Sequence, residues 1–195
     1  MLRTFFVGVL IGAACLMPAA PHIHAARTFN GSSQYDSTST LPLSAYPFTM
    51  CCWFYANDGA NPQVLMSFGS NTTHDHSHDL IIRGDLNYIS ARSNAGGTTA
   101  NANSTVDYTT GAWNHACGVW TSSTSRTVYY NGGNSATNTE TRDWPTVNRF
   151  SIGVELDSVG PVLYFNGNVA EAAIWNVSLD AAEISALAGG AAPTR

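Results

Sequence analysis

The sequence predicts an all-β domain with one short helix near its C-terminus. Short apolar or alternating runs, separated by turn residues, fill the body of the chain, and helical periodicity is confined to its last part. About eleven strands in a domain of ordinary size imply two stacked antiparallel sheets or a barrel.

Each predicted strand is a run of β-branched, aromatic or alternating residues bounded by turn residues. In chain order the predicted strands are 33–36, 48–56, 63–68, 79–83, 88–93, 104–108, 113–121, 126–130, 134–139, 149–154 and 162–175. The stretch 93–104 is rich in Asn, Gly, Ala and Thr, so we predict an exposed loop there.

Two local signals are stronger than the rest. Asn131-Gly132 between two predicted strands supplies the positive φ values that a tight primed hairpin requires. Asp180 and Glu183 have the spacing of a capping box, and Gly189 gives the helix a stop signal. The sequence therefore predicts one hairpin and one short C-terminal helix at defined positions.

The composition limits the classes of partner. Hydrophobic residues make up 44% of the chain, enough for a packed core, but charged residues only 11%, well below the roughly 25% that is usual. All eight cationic side chains are arginines, so the surface is polar and largely uncharged. The net charge of −5 argues against nucleic acid as a partner, because phosphate contacts require a basic patch.

The chain divides into a predicted signal peptide, one domain and a short tail, at residues 1–25, 26–190 and 191–195. The leader has a basic start at Arg3, an apolar run over 5–17 and a small-residue site ending at Ala25. Its apolar run is shorter than the roughly 20 residues of a membrane span, so we expect secretion and no transmembrane span. Lipid attachment at Cys15 and a translation start near Ala26 are the alternatives.

The cysteines leave two hypotheses open. Cys51 and Cys52 are neighbours on a predicted strand and point to opposite faces, so only one of them can share an interior with Cys117. All three can be buried small hydrophobic residues. Alternatively, one of the adjacent pair forms a disulfide with Cys117, which export to an oxidising compartment favours.

A polar cluster occurs at residues 74–79, where histidines alternate with Asp and Ser. In an extended chain His74, His76 and His78 lie on one face, and three imidazoles can hold Zn²⁺, Cu²⁺ or Ni²⁺. Side chains two apart on a strand are separated by about 6.6 Å, however, which is too far for shared ligation unless the segment turns. A solvated loop is the alternative.

Short motifs occur along the chain in a set order: FNG at 29–31, PFTMCCWF at 47–54, WNHACGV at 113–119, VYYNG at 128–132, SIG at 151–153, FNGNVAE at 165–171, IWN at 174–176 and a closing helix over 179–187. This series resembles the laminin-G-like group of the concanavalin A-like lectin/glucanase superfamily, over about residues 27–188. The resemblance implies a two-sheet antiparallel jelly-roll β-sandwich that holds ligands on a concave face or along one rim. Its members include lectins, calcium-dependent adhesion modules, glycoside hydrolases and phage or microbial surface modules, so the fold does not fix the function.

The hydrolases of this superfamily use an E-x-D-x-x-E strand, and the matching segment here lacks one carboxylate. Glu155 and Asp157 are present, but Gly160 stands at the third position. Retaining hydrolysis requires two carboxyl groups about 5 Å apart, one of which donates a proton. We therefore expect no enzyme activity, and a degenerate glycoside hydrolase is an alternative.

Calcium is the one cofactor that the resemblance suggests, because laminin-G-like and pentraxin-like relatives bind it through rim carboxylates. Asp157 is the leading candidate ligand, and Glu155 and Asp143 are the carboxylates nearest to it in sequence.

Three residues are predicted to contact a ligand. Trp144 lies in a polar stretch and is the aromatic residue least easily assigned to a strand interior. Asp157 is the second, and Tyr130 the third, since it and Tyr129 point to opposite faces. We expect a secreted or surface-displayed, non-catalytic module that binds carbohydrate or glycoprotein. The alternative is a structural or decorating protein of a virion or cell-surface assembly, in which copies self-assemble.

Overall fold

The computed structural model describes residues 25–59, 61–84 and 86–190. Residues 1–24 of the predicted signal peptide and the predicted tail 191–195 lie outside this part of the chain. Within it, no helix is long and apolar enough to cross a lipid bilayer.

The described residues form fourteen strands and one helix. These elements are β1 (Arg27–Asn30), β2 (Asp36–Thr38), β3 (Phe48–Ala56), β4 (Gln63–Gly69), β5 (His76–Arg83), β6 (Tyr88–Ala95), β7 (Thr98–Asn103), β8 (Trp113–Ser122), β9 (Ser125–Tyr130), β10 (Gly133–Asn138), β11 (Arg149–Ile152), β12 (Glu155–Asp157), β13 (Gly160–Val162), β14 (Asn166–Trp175) and α1 (Ala181–Ala188).

The strands form two antiparallel sheets of six strands each. The first sheet has the order β1-β14-β3-β8-β9-β10, and the second has the order β2-β11-β4-β5-β6-β7. Strands β12 and β13 pair only with each other, as a small hairpin beside the second sheet. The predicted all-β jelly-roll sandwich with one short helix is therefore confirmed.

The core lies between the inner faces of the two sheets. On β3 the alternate residues Phe48, Met50 and Phe54 are fully buried, and they share one cluster with Phe68 of β4 and Leu80 of β5. Because successive side chains on a strand point to opposite faces, this set fixes which face of each sheet is inner. Each such side chain contributes about 1.5–3 kcal/mol by its burial.

A second apolar cluster lies on the outer face of the first sheet, under α1. Cys51 and Cys117 form a disulfide there, between directly paired residues of β3 and β8, and Ile184 of α1 is buried with them. The disulfide hypothesis is thus confirmed with Cys51 as the partner. Cys52 is a buried free thiol whose pKa is raised above its ordinary value by burial.

The helix and the hairpin form as predicted from their local signals. The Asp180 side chain accepts from the backbone of Glu183, and the Glu183 side chain accepts from the backbone N–H of Asp180, which is a complete capping box. Asn131 and Gly132 join β9 to β10 with positive φ values of 49° and 74°.

The prediction of an exposed loop over 93–104 is wrong, because β6 runs to Ala95 and β7 occupies Thr98–Asn103. The inward residues of β7 are small and its outward residues are polar. Its amino-acid composition therefore resembles that of a loop. The predicted strand 104–108 is also wrong. Ser104 instead begins a turn in which its hydroxyl donates to the Val106 carbonyl.

Strand ends differ from the prediction where the backbone adopts a positive φ. The predicted strand 149–154 ends at Ile152, because Gly153 has a φ of 82°. The predicted strand 162–175 is divided into β13 and β14 by Leu163, which has a φ of 54°. Strand β1 was not predicted, and the predicted strand 33–36 is displaced to Asp36–Thr38.

Candidate functional site

The outer face of the second sheet is polar where β5, β6 and β7 lie side by side. Leu80, Ala91 and Ala102 are direct partners across these strands and point into the core. The residues that alternate with them therefore point outward. Apart from the buried Ile81, the residues on this side are polar. We call them the polar face, which consists of Ser77, Asp79, Ser90, Arg92, Asn94, Thr99, Asn101 and Asn103.

Arg92 lies at the centre of the polar face and is held by two carboxylates. Its Nε donates to Asp79 Oδ2 at 2.8 Å, and its Nη2 donates to Glu155 Oε2 at 2.5 Å. Asp79 also accepts from the hydroxyls of Ser67 and Ser77, both at 2.6 Å. The Arg92 side chain is only 13% exposed, so its charge is balanced inside the protein.

These contacts set the protonation of the three charged groups. Burial by itself lowers the pKa of Arg92, but Asp79 and Glu155 outweigh burial and hold that pKa above its ordinary value. Burial, and then the charge of Asp79, raise the pKa of Glu155 to about 7 against the opposing effect of Arg92. Arg92 thus stays cationic, whereas Glu155 changes its charge near neutral pH.

The hairpin β12–β13 packs along one side of the polar face. Gly69, at the end of β4, permits its close approach, because a Cβ at that position would lie 2.5 Å from the Leu156 carbonyl oxygen. Strand β12 therefore lies against β4, and it carries Glu155 to Arg92 and Asp157 to the loop before β5.

Asp157 connects the loop before β5 to the hairpin β12–β13 through hydrogen bonds. Its carboxylate accepts from His74 Nδ1 at 2.7 Å and from the backbone N–H groups of Asp75 and Val159 at 2.8 and 3.0 Å. Burial alone would raise the pKa of Asp157, but these hydrogen bonds lower it to about 2. The hydrogen bond from His74 in turn raises the pKa of that exposed imidazole, whose Nε2 lies 3.3 Å from Asp75 Oδ2.

Two amide oxygens of the polar face have no hydrogen-bond partner. Asn94 Oδ1 and Asn101 Oδ1 are both buried and unpaired among the described residues. Asn94 is 4% exposed, and its side-chain nitrogen donates to Asp75 Oδ1 at 3.4 Å. An unsatisfied buried acceptor costs about 1–3 kcal/mol. Both oxygens are closed to solvent as they stand, so a ligand that offers hydroxyl donors would recover that free energy by drawing one of these amides toward itself.

A cleft of about 310 Å³ at the rim of the sandwich is a weaker candidate. Asp58, which lines it, already accepts from Gln63 Nε2 at 2.6 Å and from Asn166 Nδ2 at 2.5 Å. Asn166 also donates its backbone N–H to Gln63 Oε1 at 2.8 Å. Asp58, Gln63 and Asn166 of the cleft therefore satisfy one another, whereas two amide oxygens of the polar face have no partner among the described residues.

The expected calcium ligands do not fit a calcium ion. Glu155 is paired with Arg92, Asp157 accepts from His74 and from backbone N–H groups, and Asp143 lies exposed in the segment after β10. Ca²⁺ requires about six to eight converging oxygen ligands. Here the two buried carboxylates have cationic or N–H partners instead.

The three histidines have separate partners and do not share a metal site. His74 binds Asp157, and His76 Nδ1 accepts from the Thr146 backbone N–H at 2.9 Å. His78 points inward, with its Nδ1 2.9 Å from Ser93 Oγ, and burial lowers its pKa to about 3. Strand β5 begins at His76, so the pleat keeps these imidazoles apart. Two other groups of potential metal ligands occur among the described residues. In the first, Cys51, His115 and Cys117, the two sulfurs are joined in the disulfide. In the second, His74, Asp75 and Asp157, the imidazole already pairs with both carboxylates.

The choice of Tyr130 rather than Tyr129 as the exposed ring is wrong, whereas Trp144 is partly buried and its contact with a ligand stays a prediction. The Trp144 ring packs against the core, with ring centroids 4.9 Å from His78 and 5.1 Å from Tyr46. Tyr130 is 5% exposed and donates its hydroxyl to Asn114 Oδ1 at 2.6 Å. Alternation on β9 places Tyr130 inward and its neighbour Tyr129 outward, under α1.

The sequence analysis did not identify β6 and β7 as part of a site, although the pattern of β7 indicates a strand. Ala100 and Ala102 alternate with Asn101 and Asn103, which is a strand period of two with small residues on the buried side. The high content of Asn and Thr in 93–104 concealed this period.

The family model Laminin_G_3, described as "Concanavalin A-like lectin/glucanases superfamily", matches residues 30–185. A search of the curated proteins gives no match.

Solved structures share the fold at low identity. The carbohydrate-binding module CBM40 of a Ruminococcus gnavus IT-sialidase, bound to α2,3 sialyllactose, is similar with a TM-score of 0.68 and 14% identity, covering 86% of this chain and 100% of that one. Domain 4 of AbnA, an extracellular GH43 arabinanase of Geobacillus stearothermophilus in complex with arabinotriose, gives 0.64 and 16%, with 85% and 89% covered. A heptameric SAP-like pentraxin of Limulus polyphemus gives 0.63 and 16%, with 84% and 81% covered.

Proposed function

Because this chain belongs to the Laminin_G_3 family of the concanavalin A-like lectin/glucanases superfamily, we propose that it is a non-catalytic module that binds carbohydrate on its polar face. The fold is shared with carbohydrate-binding modules whose structures contain sialyllactose and arabinotriose. Fold alone does not assign a ligand, so the proposal depends on the chemistry of the site.

The unpaired amide oxygens of Asn94 and Asn101 are the observation that carries the proposal. Sugar hydroxyls are donors as well as acceptors, and they can satisfy amide oxygens that the protein leaves unpaired. Asn103 and Thr99 lie on the same outward side of β7 and are partly or fully exposed, so the surface beside these amides is open. A polyhydroxylated ligand is the class that this surface suits best.

Glu155 and Asp157, the two carboxylates of the hydrolase-like segment, are poorly accessible, which supports a binding role over hydrolysis. Glu155 is 4% exposed and bound to Arg92, and Asp157 is 6% exposed with both oxygens accepting hydrogen bonds. Asp157, with a pKa of about 2, is fully ionised near neutral pH and cannot act as the proton donor. Neither carboxylate is placed to contact a glycosidic bond.

Export from the cell is part of this proposal. The Cys51–Cys117 disulfide closes a separation of 66 residues, and such bonds persist in oxidising compartments. This agrees with the predicted signal peptide and with a ligand on the outside of cells.

A glycan array with the full chain tests the proposed function, followed by calorimetry on each glycan that is bound. The variant Asn101→Ala removes one unpaired acceptor and should weaken binding by about tenfold, the worth of one hydrogen bond. The matched control Asn176→Ala removes an exposed amide that lies after β14, away from the polar face. An array without any bound glycan, or equal affinities for the wild type and Asn101→Ala, would refute the proposal.

A further inference from the structure

The polar face and its border carry more negative than positive side chains. Four carboxylates lie there, those of Asp75, Asp79, Glu155 and Asp157, whereas the cations in contact with them are Arg92 and His74. Even with His74 protonated, two negative charges remain uncompensated when all four carboxylates are ionised.

Two of the three nitrogens of the Arg92 guanidinium are used by carboxylates of the protein. Nε donates to Asp79 and Nη2 donates to Glu155, and the side chain is 13% exposed. A guanidinium binds a ligand carboxylate most strongly through two parallel donors. The Nε and Nη2 pair is occupied here, and Asp79 and Glu155 already balance the positive charge of Arg92.

The other arginines near the polar face are also engaged. Arg142, at the edge of β7, donates to the backbone carbonyls of Thr98 and Thr99 and pairs with Glu140. Arg83, at the far end of β5, has an interaction partner as well. The donors of Arg142 therefore serve the protein's own acceptors.

Asp75 brings the negative charge to the place where a ligand would lie. Its side chain is 40% exposed, and its Oδ1 lies 3.4 Å from Asn94 Nδ2. A ligand that donates to the free Asn94 oxygen would therefore approach the Asp75 carboxylate as well. Hydroxyl groups can donate to both atoms, whereas a ligand carboxylate or sulfate would be repelled.

From this balance we infer that the polar face prefers neutral glycans to sialylated, sulfated and uronic acid glycans. The inference rests on the proposed function and specifies its ligand class. It separates this chain from the similar module whose structure holds sialyllactose. At pH 8, above the pKa of Glu155, all four carboxylates are ionised. If a ligand anion lies about 7 Å from two uncompensated charges, in a dielectric close to that of water, the repulsion corresponds to about a tenfold difference in affinity.

The test is an array that pairs each neutral oligosaccharide with its sialylated, sulfated or uronic acid counterpart. Pairs with a bound member are then compared by calorimetry at about 0.02 M and 0.5 M NaCl, because salt screens the repulsion. We expect the neutral member to bind about tenfold more tightly at low salt, with a smaller difference at high salt.

Two variants test whether the charge of Asp75 causes the difference in affinity within a pair of glycans. Asp75→Asn is nearly isosteric, and Asn tolerates the positive φ of 54° at this position, so this variant should reduce the difference within a pair. The control Asp36→Asn removes the same charge from β2, at the opposite edge of the second sheet, and should leave the difference unchanged.

The outcomes separate this inference from the proposed function. Equal or tighter binding of the acidic members, or a difference that Asp75→Asn does not reduce, overturns the selection of neutral glycans alone. An array that binds neither class overturns the proposed function, and the inference with it.

Discussion

Replacing Arg92 with Met tests how the charges of the polar face are balanced. The substitution keeps the unbranched apolar stem of the side chain but leaves Asp79 and Glu155 without their cation, and the side chains of these two residues are 0% and 6% exposed. Removal of one partner of a buried ion pair costs about 3–5 kcal/mol. We expect a loss of this size in the free energy of unfolding at pH 8, measured by urea denaturation.

The free energy of unfolding that is lost in Arg92→Met should also depend on pH. The pKa of Glu155 is already raised to about 7, so folding favours its protonated form and this group contributes less stability as the pH rises through 7. Without Arg92 the pKa rises further, because the guanidinium opposes the shift. The cost of Arg92→Met should therefore fall by about 1 kcal/mol or more between pH 8 and pH 5.5.

A matched control distinguishes this effect from the general loss of an arginine. Arg149 lies on β11 of the same sheet and donates to the Asn148 carbonyl. Arg149→Met should cost about 1 kcal/mol or less, with no dependence on pH in this range. A cost for Arg92→Met below 1 kcal/mol at pH 8, or one that is unchanged at pH 5.5, would refute the reasoning.

Three further predictions concern the rest of the domain. The double variant Cys51→Ala/Cys117→Ala opens a closed loop of 66 residues and should lose about 4 kcal/mol in urea denaturation, and its stability should not change with reductant, whereas Cys52→Ala keeps the disulfide and should still be destabilised by reductant. His78, kept neutral by burial with a pKa of about 3, should reduce the stability by about 1.4 kcal/mol for each pH unit below 6.5, and His78→Gln should flatten that slope. Because the carboxylates near Asp157 have N–H and cationic partners, a chelator should leave the melting temperature unchanged within about 1 °C; a larger decrease would show a bound metal.

Much of the fold follows from local rules that single residues express. Strand β3 has the predicted bounds because its apolar run is continuous, and α1 begins at the predicted capping box of Asp180 and Glu183. The turn at Asn131-Gly132 follows from the positive φ that these residues tolerate. Each of these signals is complete within a few residues of sequence.

The candidate site was less predictable, because it depends on which face of a strand is buried. A shift of one residue exchanges inner and outer positions, and this parity decided between Tyr129 and Tyr130 and between Cys51 and Cys52. The role of Glu155 was missed for a different reason. Arg92, its partner, lies 63 positions away in sequence, and only the register of β5 with β6 and the approach of β12 bring the two together.

Amide chemical shifts in a titration with a bound oligosaccharide would test the central claim, that carbohydrate binds on the polar face. We expect the largest changes at residues 90–103, along β6 and β7, and at Asp75, with few on the first sheet. Changes confined to the rim cleft of Asp58 and Asn166, or to α1, would contradict the assignment of the binding site.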